Sequence, residues 1–350
     1  MVIMKEAKPR NNTILIAGAA GYVGSVMTRL YLDLGYRVRV LDRFFFGKDF
    51  IDTIKSGNLE VFCDDTRYFS KNLLKNIDVV VDLAGLSNDP SALLNENLTR
   101  DINVNGAFRL ASLAKEAGVK QYIYTSSCSV YGHSNQGPAL ESDKLNPLSL
   151  YAECKVIAEE KVLSLSDKDF VVTCSRNATC YGYSPRMRFD LVLNIMTLNA
   201  HCDGRIQVTG GGKQWRPFIH IADIADAYEI IMKAPVNLIQ SQIFNLGSDE
   251  QNISMINLAQ LVQKNFIGSK IIILEDSEDN RDYSVSFSKI HEKLGFRPKR
   301  TIQDGIEEIK HALETHITKE TQKTSTVGYY DHLMKMDKLI TSLKYNGRLL

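Results

Sequence analysis

Short apolar runs alternate with longer stretches of helical period through the first half of the chain. Residues 14–17 (ILIA), 37–41 (RVRVL), 59–62 (LEVF), 79–83 (VVVDL), 121–125 (QYIYT) and 170–174 (FVVTC) read as strands. Runs without polar alternation mark strands covered on both faces, as in a parallel sheet wrapped by helices. Residues 97–117 put Ile102, Leu110, Leu113 and Ala114 on or near one helical face, and a second helix runs from Tyr151 to about residue 165. Alternation of this kind predicts an α/β fold with a doubly wound parallel sheet. Beyond Gly182 the regularity fails, which predicts a smaller C-terminal α/β domain. The expected division is a lead over 1–12, a large domain over 13–175 plus about 213–247, a smaller one over 176–212 plus 248–314, and a linker with a terminal helix over 315–350. In that helix Tyr329, Leu333, Met336, Ile340 and Leu343 form a narrow apolar seam. Docking on its own domain is favoured over pairing with another chain.

The turn after the first strand carries three glycines, Gly18, Gly21 and Gly24. The first permits a tight turn, the second lets a pyrophosphate approach the backbone, and the third lets the new helix pack close to the sheet. The helix then aims free N–H groups and its positive dipole end at the phosphates. The second strand ends in Asp42, a carboxylate placed to hold both hydroxyls of an adenosine ribose. Strand, glycines, helix, strand and acid in this order predict a Rossmann-type dinucleotide site. Asp42 would repel a ribose 2′-phosphate and so favours NAD, while Arg43 beside it leaves NADP possible.

Charge and cysteine content narrow the partners. With 42 basic and 41 acidic residues the formal net charge is +1, so no overall field attracts nucleic acid or an anionic membrane. The six cysteines form no C-x-x-C pair and no ligand-spaced cluster with the seven histidines, which argues against a metal site or a disulfide framework. The opening MVIMKEAKPRNN lacks a signal-peptide core, and no apolar run approaches a membrane span. A cytoplasmic location with reduced thiols is expected.

Strand ends in such a sheet face the ligand crevice, which places residues 126–132 (SSCSVYG) at the site. Tyr151 and Lys155, four apart, share a helix face. A phenol with an ordinary pKa of about 10 needs a neighbouring cation to act as a base at neutral pH, and Lys155 supplies one. Ser127 can hold the oxygen being oxidised against Tyr151 while hydride leaves the carbon for a nicotinamide.

In these residues the chain resembles the extended short-chain dehydrogenase/reductase family, particularly its nucleotide-sugar epimerases and dehydratases. The resemblance spans about residues 13–313. It rests on the three glycines, Asp65-Thr66-Arg67, Ala84-Gly85-Leu86, Asn103-Val104-Asn105-Gly106, SSCSVYG, YAECK (151–155) and WRPFIHIAD (215–223). It implies NAD or NADP held by the glycine turn with Tyr22 and Val23, by Asp42, Arg43, Asp65, Thr66, Leu83, Ala84, Gly85 and Asn103, and by Lys155. It implies a nucleoside diphosphate sugar near Ser87, Ser127, Cys128, Ser129 and Thr179, with Asn194, Arg216 and Arg281 on the diphosphate. Arg186 and Arg188 are further candidates for that role. A homodimer through the helices near 97–117 and 151–165 is also implied.

The reaction after oxidation, expected at sugar C4, turns on the loop after Ser127. Dehydratases of this family carry Asp-Glu where this chain has Cys128 and Ser129, which disfavours dehydration. In 3,5-epimerases a cysteine stands where this chain has Ser129, and Cys128 reads as structural. Many 4-epimerases carry asparagine at the position of Thr179, which sets a galactose-type substrate in question. Epimerisation at C4 is favoured because it needs no extra acid or base, and a dehydrogenase or ketoreductase with net redox change stays open beside it. A non-catalytic NAD(P) sensor is disfavoured by the presence of both Tyr151 and Lys155.

Overall fold

The computed structural model describes residues 12–133, 137–274 and 281–349. Apart from Asn12, the lead expected over 1–12 lies outside the described residues. Strands run in the order β1 Thr13–Ala17, β2 Arg37–Asp42, β3 Leu59–Cys63, β4 Val79–Asp82, β5 Gln121–Ser127, β6 Val171–Asn177, β7 Thr179–Tyr181, β8 Arg205–Thr209, β9 Trp215–His220, β10 Gln242–Leu246, β11 Asn252–Ser254 and β12 Lys270–Leu274. Seven of them form one parallel sheet in the order β10-β6-β5-β4-β1-β2-β3. The chain leaves β1 toward β2 and β3, then crosses back to β4. That reversal opens a crevice beyond the carboxyl ends of β1 and β4, where doubly wound sheets take ligands.

The unbroken apolar runs follow from burial on both faces. Ile14 and Ile16 of β1 pack with Val38, Val40, Met27, Tyr31 and Tyr228 on one side, whereas Leu15 and Ala17 meet Val80, Tyr122, Leu110 and Ala111 on the other. Two-residue alternation along a strand therefore sorts these side chains into two separate cores. Helices Tyr22–Asp33 and Ile221–Lys233 cover the first face, and Ala107–Glu116 and Leu150–Leu163 the second.

Two smaller sheets lie outside the large one. β9, grouped from the sequence with the large sheet, instead joins β7 and β11, and β8 pairs with β12. The strand β9 belongs to the smaller sheet while the helix that follows returns to the large one, so residues 213–247 straddle the two regions. The single helix expected over 97–117 is divided: α-helix Glu96–Arg100, a π-helical turn Asp101–Gly106, then α-helix Ala107–Glu116. Within the wider turn, the Asn103 side-chain amide brackets the backbone of Leu86, accepting from its N–H at 2.8 Å and donating to its carbonyl at 3.0 Å.

Candidate active site

Beyond β1 and β4, a cavity of about 670 Å³ brings together the glycine turn, Asp42, the β5 end, Tyr151 and Lys155. Gly18 has φ +79°, and a Cβ on it would lie 2.9 Å from the Leu83 carbonyl carbon. A Cβ on Gly24 would lie 2.2 Å from the Gly18 carbonyl oxygen and 2.7 Å from the Ala19 Cα. Only hydrogen fits at either place, so helix Tyr22–Asp33 starts hard against the turn. Gly21 caps that helix without a side-chain bond, and its first turn carries no acidic residue. The orphan N–H groups thus meet no acidic side chain of the helix's own first turn, and the cradle fits a dinucleotide pyrophosphate.

Asp42 closes the far side of this cradle. Its Oδ2 accepts from the Ala20 N–H at 2.9 Å and its Oδ1 from the Phe44 N–H at 2.7 Å. Burial raises its pKa above the ordinary carboxyl value, against the pull of the two N–H bonds. A carboxylate has about four lone-pair directions, so capacity remains for ribose hydroxyls. Arg43, the residue that left NADP open, reaches Asp65 at 3.3 Å and lies over the Phe45 ring. Burial raises the Asp65 carboxyl, but the hydrogen bonds and charge of Arg67 outweigh it and hold its pKa below the usual range.

Tyr151, Lys155 and Ser127 are set by one capped helix and one strand end. Ser149 accepts from the Ala152 N–H at 3.2 Å and caps helix Leu150–Leu163, which puts Tyr151 in its first turn. Ser127, the last residue of β5, stands beside the Tyr151 phenol and pulls its pKa down. Lys155 is buried, donates from Nζ to the Thr125 carbonyl at 2.6 Å, and lies 5.8 Å from the Tyr151 ring centroid. Burial, helped by the charge of Asp89, pushes the Tyr151 phenol well above its ordinary pKa. Burial thus favours the neutral phenol.

Burial also lowers the Lys155 ammonium from 10.5 to about 8, against the pull of Asp82 and Glu159. The folded protein sheds this proton through about pH 8, while the unfolded chain keeps it to near 10.5. Stability from this group therefore rises with pH across that window, and below it the buried charge weighs against folding. Activity is expected to run the other way, because the cation is the form that favours a phenolate. A profile of kcat/KM against pH should show an alkaline fall with a midpoint near 8; a profile flat to pH 9.5 contradicts this role for the amine.

Behind the trio lies a buried polar network that the sequence did not reveal. Glu159, one turn past Lys155, pairs with Arg176 at 2.8 Å, and each side chain is 3% exposed. Glu159 also accepts from Ser126, and Arg176 donates to the Tyr131 hydroxyl at 2.9 Å. With its hydrogen bonds filled, the pair ties the helix to β5 and β6 where the reacting groups sit.

The cavity is lined by Ser87, Ser127, Ser129, Thr179 and Arg281 among the expected substrate residues, and by the expected cofactor residues with one exception. Asn103 is buried against Leu86 and supports the β4 loop from behind. Three substrate candidates also turn elsewhere. Cys128 is 1% exposed in the core, its thiol donates to the Arg176 carbonyl, and burial raises its pKa well above the ordinary value. Asn194 is fully buried and donates to the Tyr22 hydroxyl and the Arg188 carbonyl. Arg216 spends donors on the carbonyls of Trp215 and Arg281 and lies over the Tyr283 ring. In each case the polar atoms bond backbone or buried side chains of the protein itself, and the partners Arg176, Tyr22 and Arg281 are brought near only by folding. Asp89, absent from the expected set, lines the cavity and pairs with Arg281. Its signal was the Asn88 cap, whose side chain accepts from Ser91 and starts a short helix at the rim.

A family model described as the NAD dependent epimerase/dehydratase family matches residues 14–247. A UDP-glucose 4-epimerase of Lactobacillus helveticus is 28% identical, over 67% of this chain and 76% of its own. A UDP-glucuronic acid decarboxylase 1 of Xenopus tropicalis is 27% identical, over 85% of this chain and 71% of its own. Among solved structures, a UDP-glucuronic acid 4-epimerase from Bacillus cereus, in complex with UDP-glucuronic acid and NAD, superposes with a TM-score of 0.78. It is 22% identical and covers 87% of this chain and 99% of that one.

Proposed function

This chain belongs to the NAD-dependent epimerase/dehydratase family, and from that premise we propose that it is a nucleoside diphosphate sugar 4-epimerase. The observation that carries the reading is the convergence of Tyr151, Ser127 and Lys155 on one cavity with the glycine turn, next to a β5 loop that brings no acid or base of its own. Of the two residues after Ser127, Cys128 is turned into the core, and Ser129 offers a buried hydroxyl oxygen that has no hydrogen-bond partner among the described residues. An unpaired buried hydroxyl is costly, and a sugar hydroxyl in the cavity would satisfy it.

When bound, NAD supplies the hydride acceptor and, later, the donor. Tyr151 takes the proton of the C4 hydroxyl, Ser127 holds the same oxygen, and the Lys155 charge favours the phenolate. If the sugar turns before reduction, Tyr151 returns the proton to the new alcohol and C4 is inverted with no net redox change. Arg281 offers the diphosphate a guanidinium, which in this state pairs with Asp89. The assembly we expect is a homodimer through helices Ala107–Glu116 and Leu150–Leu163.

A panel of UDP-, GDP-, CDP- and dTDP-sugars, followed by nicotinamide absorbance and product NMR, tests the reading. The expected result is a C4 epimer with no net absorbance change. Stoichiometric NADH would instead mark a dehydrogenase, loss of water a dehydratase, and CO₂ from a uronic acid a decarboxylase.

A further inference from the structure

Helix Thr326–Leu343 forms part of the wall of the same cavity that holds Gly18, Asp42 and Tyr151, through Tyr330, Leu333 and Met334. Its opposite side is exposed at Lys335, Met336, Lys338 and Leu339, so the helix stands between this flank of the cavity and water.

A polar chain fastens its first turn. Arg188 grips Asp190 through two bonds, Nε to Oδ1 at 3.0 Å and Nη2 to Oδ2 at 3.1 Å. Asp190 Oδ2 accepts from the Thr326 N–H at 3.2 Å, and the Thr326 hydroxyl accepts from Arg186 Nη2 at 2.9 Å. An aromatic contact then carries the helix over the β2 loop. The Arg186 guanidinium lies 3.7 Å over the Phe46 ring, and Tyr330 meets that ring edge-on at 5.2 Å.

Arg186 is 9% exposed and lines the cavity, yet its Nε and Nη1 have no hydrogen-bond partner among the described residues. Buried donors left unpaired are costly, and oxygen acceptors in the cavity would remove that cost. Two carboxylates act on Arg186, Asp190 and, beyond it, Asp42, and the charges of both Arg186 and Asp42 also reach Tyr330. Arg186 and Tyr330 therefore sit at the end of the cavity where the cofactor's ribose is expected.

We infer that this C-terminal helix completes the dinucleotide site, with Tyr330 closing over Phe46 and Arg186, and holds the cofactor in place between turnovers. The inference rests on the cofactor reading above and extends it. Retention matches a cycle in which the hydride removed from a sugar must return to it, since cofactor lost midway would leave a ketone.

The test is the rate of NADH release from the full chain, followed by fluorescence in stopped flow with excess NAD as the displacing ligand. Tyr330→Ala is expected to speed release about tenfold or more, as lost contacts act mainly on dissociation, with an unchanged melting temperature for the unloaded protein. Leu339→Ala, on the exposed side, is expected to leave release as it is. If Tyr330→Ala fails to fold, Leu333→Ala carries the same expectation. Unchanged release in both Tyr330→Ala and Leu333→Ala overturns the inference, and so does equal acceleration in Leu339→Ala. Either outcome leaves the epimerase reading standing on its products, whereas a chain that binds no NADH overturns both.

Discussion

Tyr151→Phe is expected to lower kcat by about 10³-fold while NAD affinity and melting temperature stay near those of the unaltered protein. The substitution removes one oxygen. The ring keeps its place in the first turn of helix Leu150–Leu163, under the Ser149 cap and beside the Lys155 amine. What disappears is the phenolic oxygen proposed to accept the sugar hydroxyl proton. Steady-state turnover of the sugar nucleotide found in the panel, with NAD titration as control, checks this. Undiminished turnover would remove Tyr151 from the chemistry.

Gly24→Ala is expected to abolish dinucleotide binding and to destabilise the fold by about 1–3 kcal/mol or more, the usual range for overpacking. The added methyl would meet the Gly18 carbonyl oxygen at 2.2 Å and the Ala19 Cα at 2.7 Å. Both obstacles are backbone, so no side-chain rotation relieves them. The helix must lift from the turn, and its first N–H groups then leave the position that a pyrophosphate would need. Gly57→Ala provides the control, because a Cβ there meets nothing within 4 Å. Calorimetric titration with NAD and thermal denaturation of both variants read the two effects separately. Wild-type affinity in Gly24→Ala would detach the turn from cofactor binding.

Elements set by local periodicity were legible in the chain. β1 and β4 follow apolar runs, and the glycine turn follows from spacing, because burial on both faces and close backbone approach leave plain marks on composition. Tyr151 and Lys155 were legible for the same reason, as four residues on one helix fix a shared face. Side chains that act across long separations were not. Asn103 and Asn194 are as polar as any ligand-binding residue, and only the folded chain shows that their amides serve Leu86 and Tyr22. The π-helical turn at Asp101–Gly106 is of this kind too, since its brace lies on another loop. Arg186 stood as a candidate for the diphosphate; its bonding partner Thr326 lies 140 positions further along the chain, beyond the reach of spacing.

The most direct measurement uses the accepted sugar nucleotide carrying deuterium at C4, with product examined by NMR and mass spectrometry. Removal and return of one hydride by retained cofactor requires the label to stay on C4 of the inverted sugar, at full enrichment, with no deuterium in water or in free NADH. Label washed into solvent, or carried off on released cofactor, would contradict epimerisation through Tyr151 and a C4 ketone.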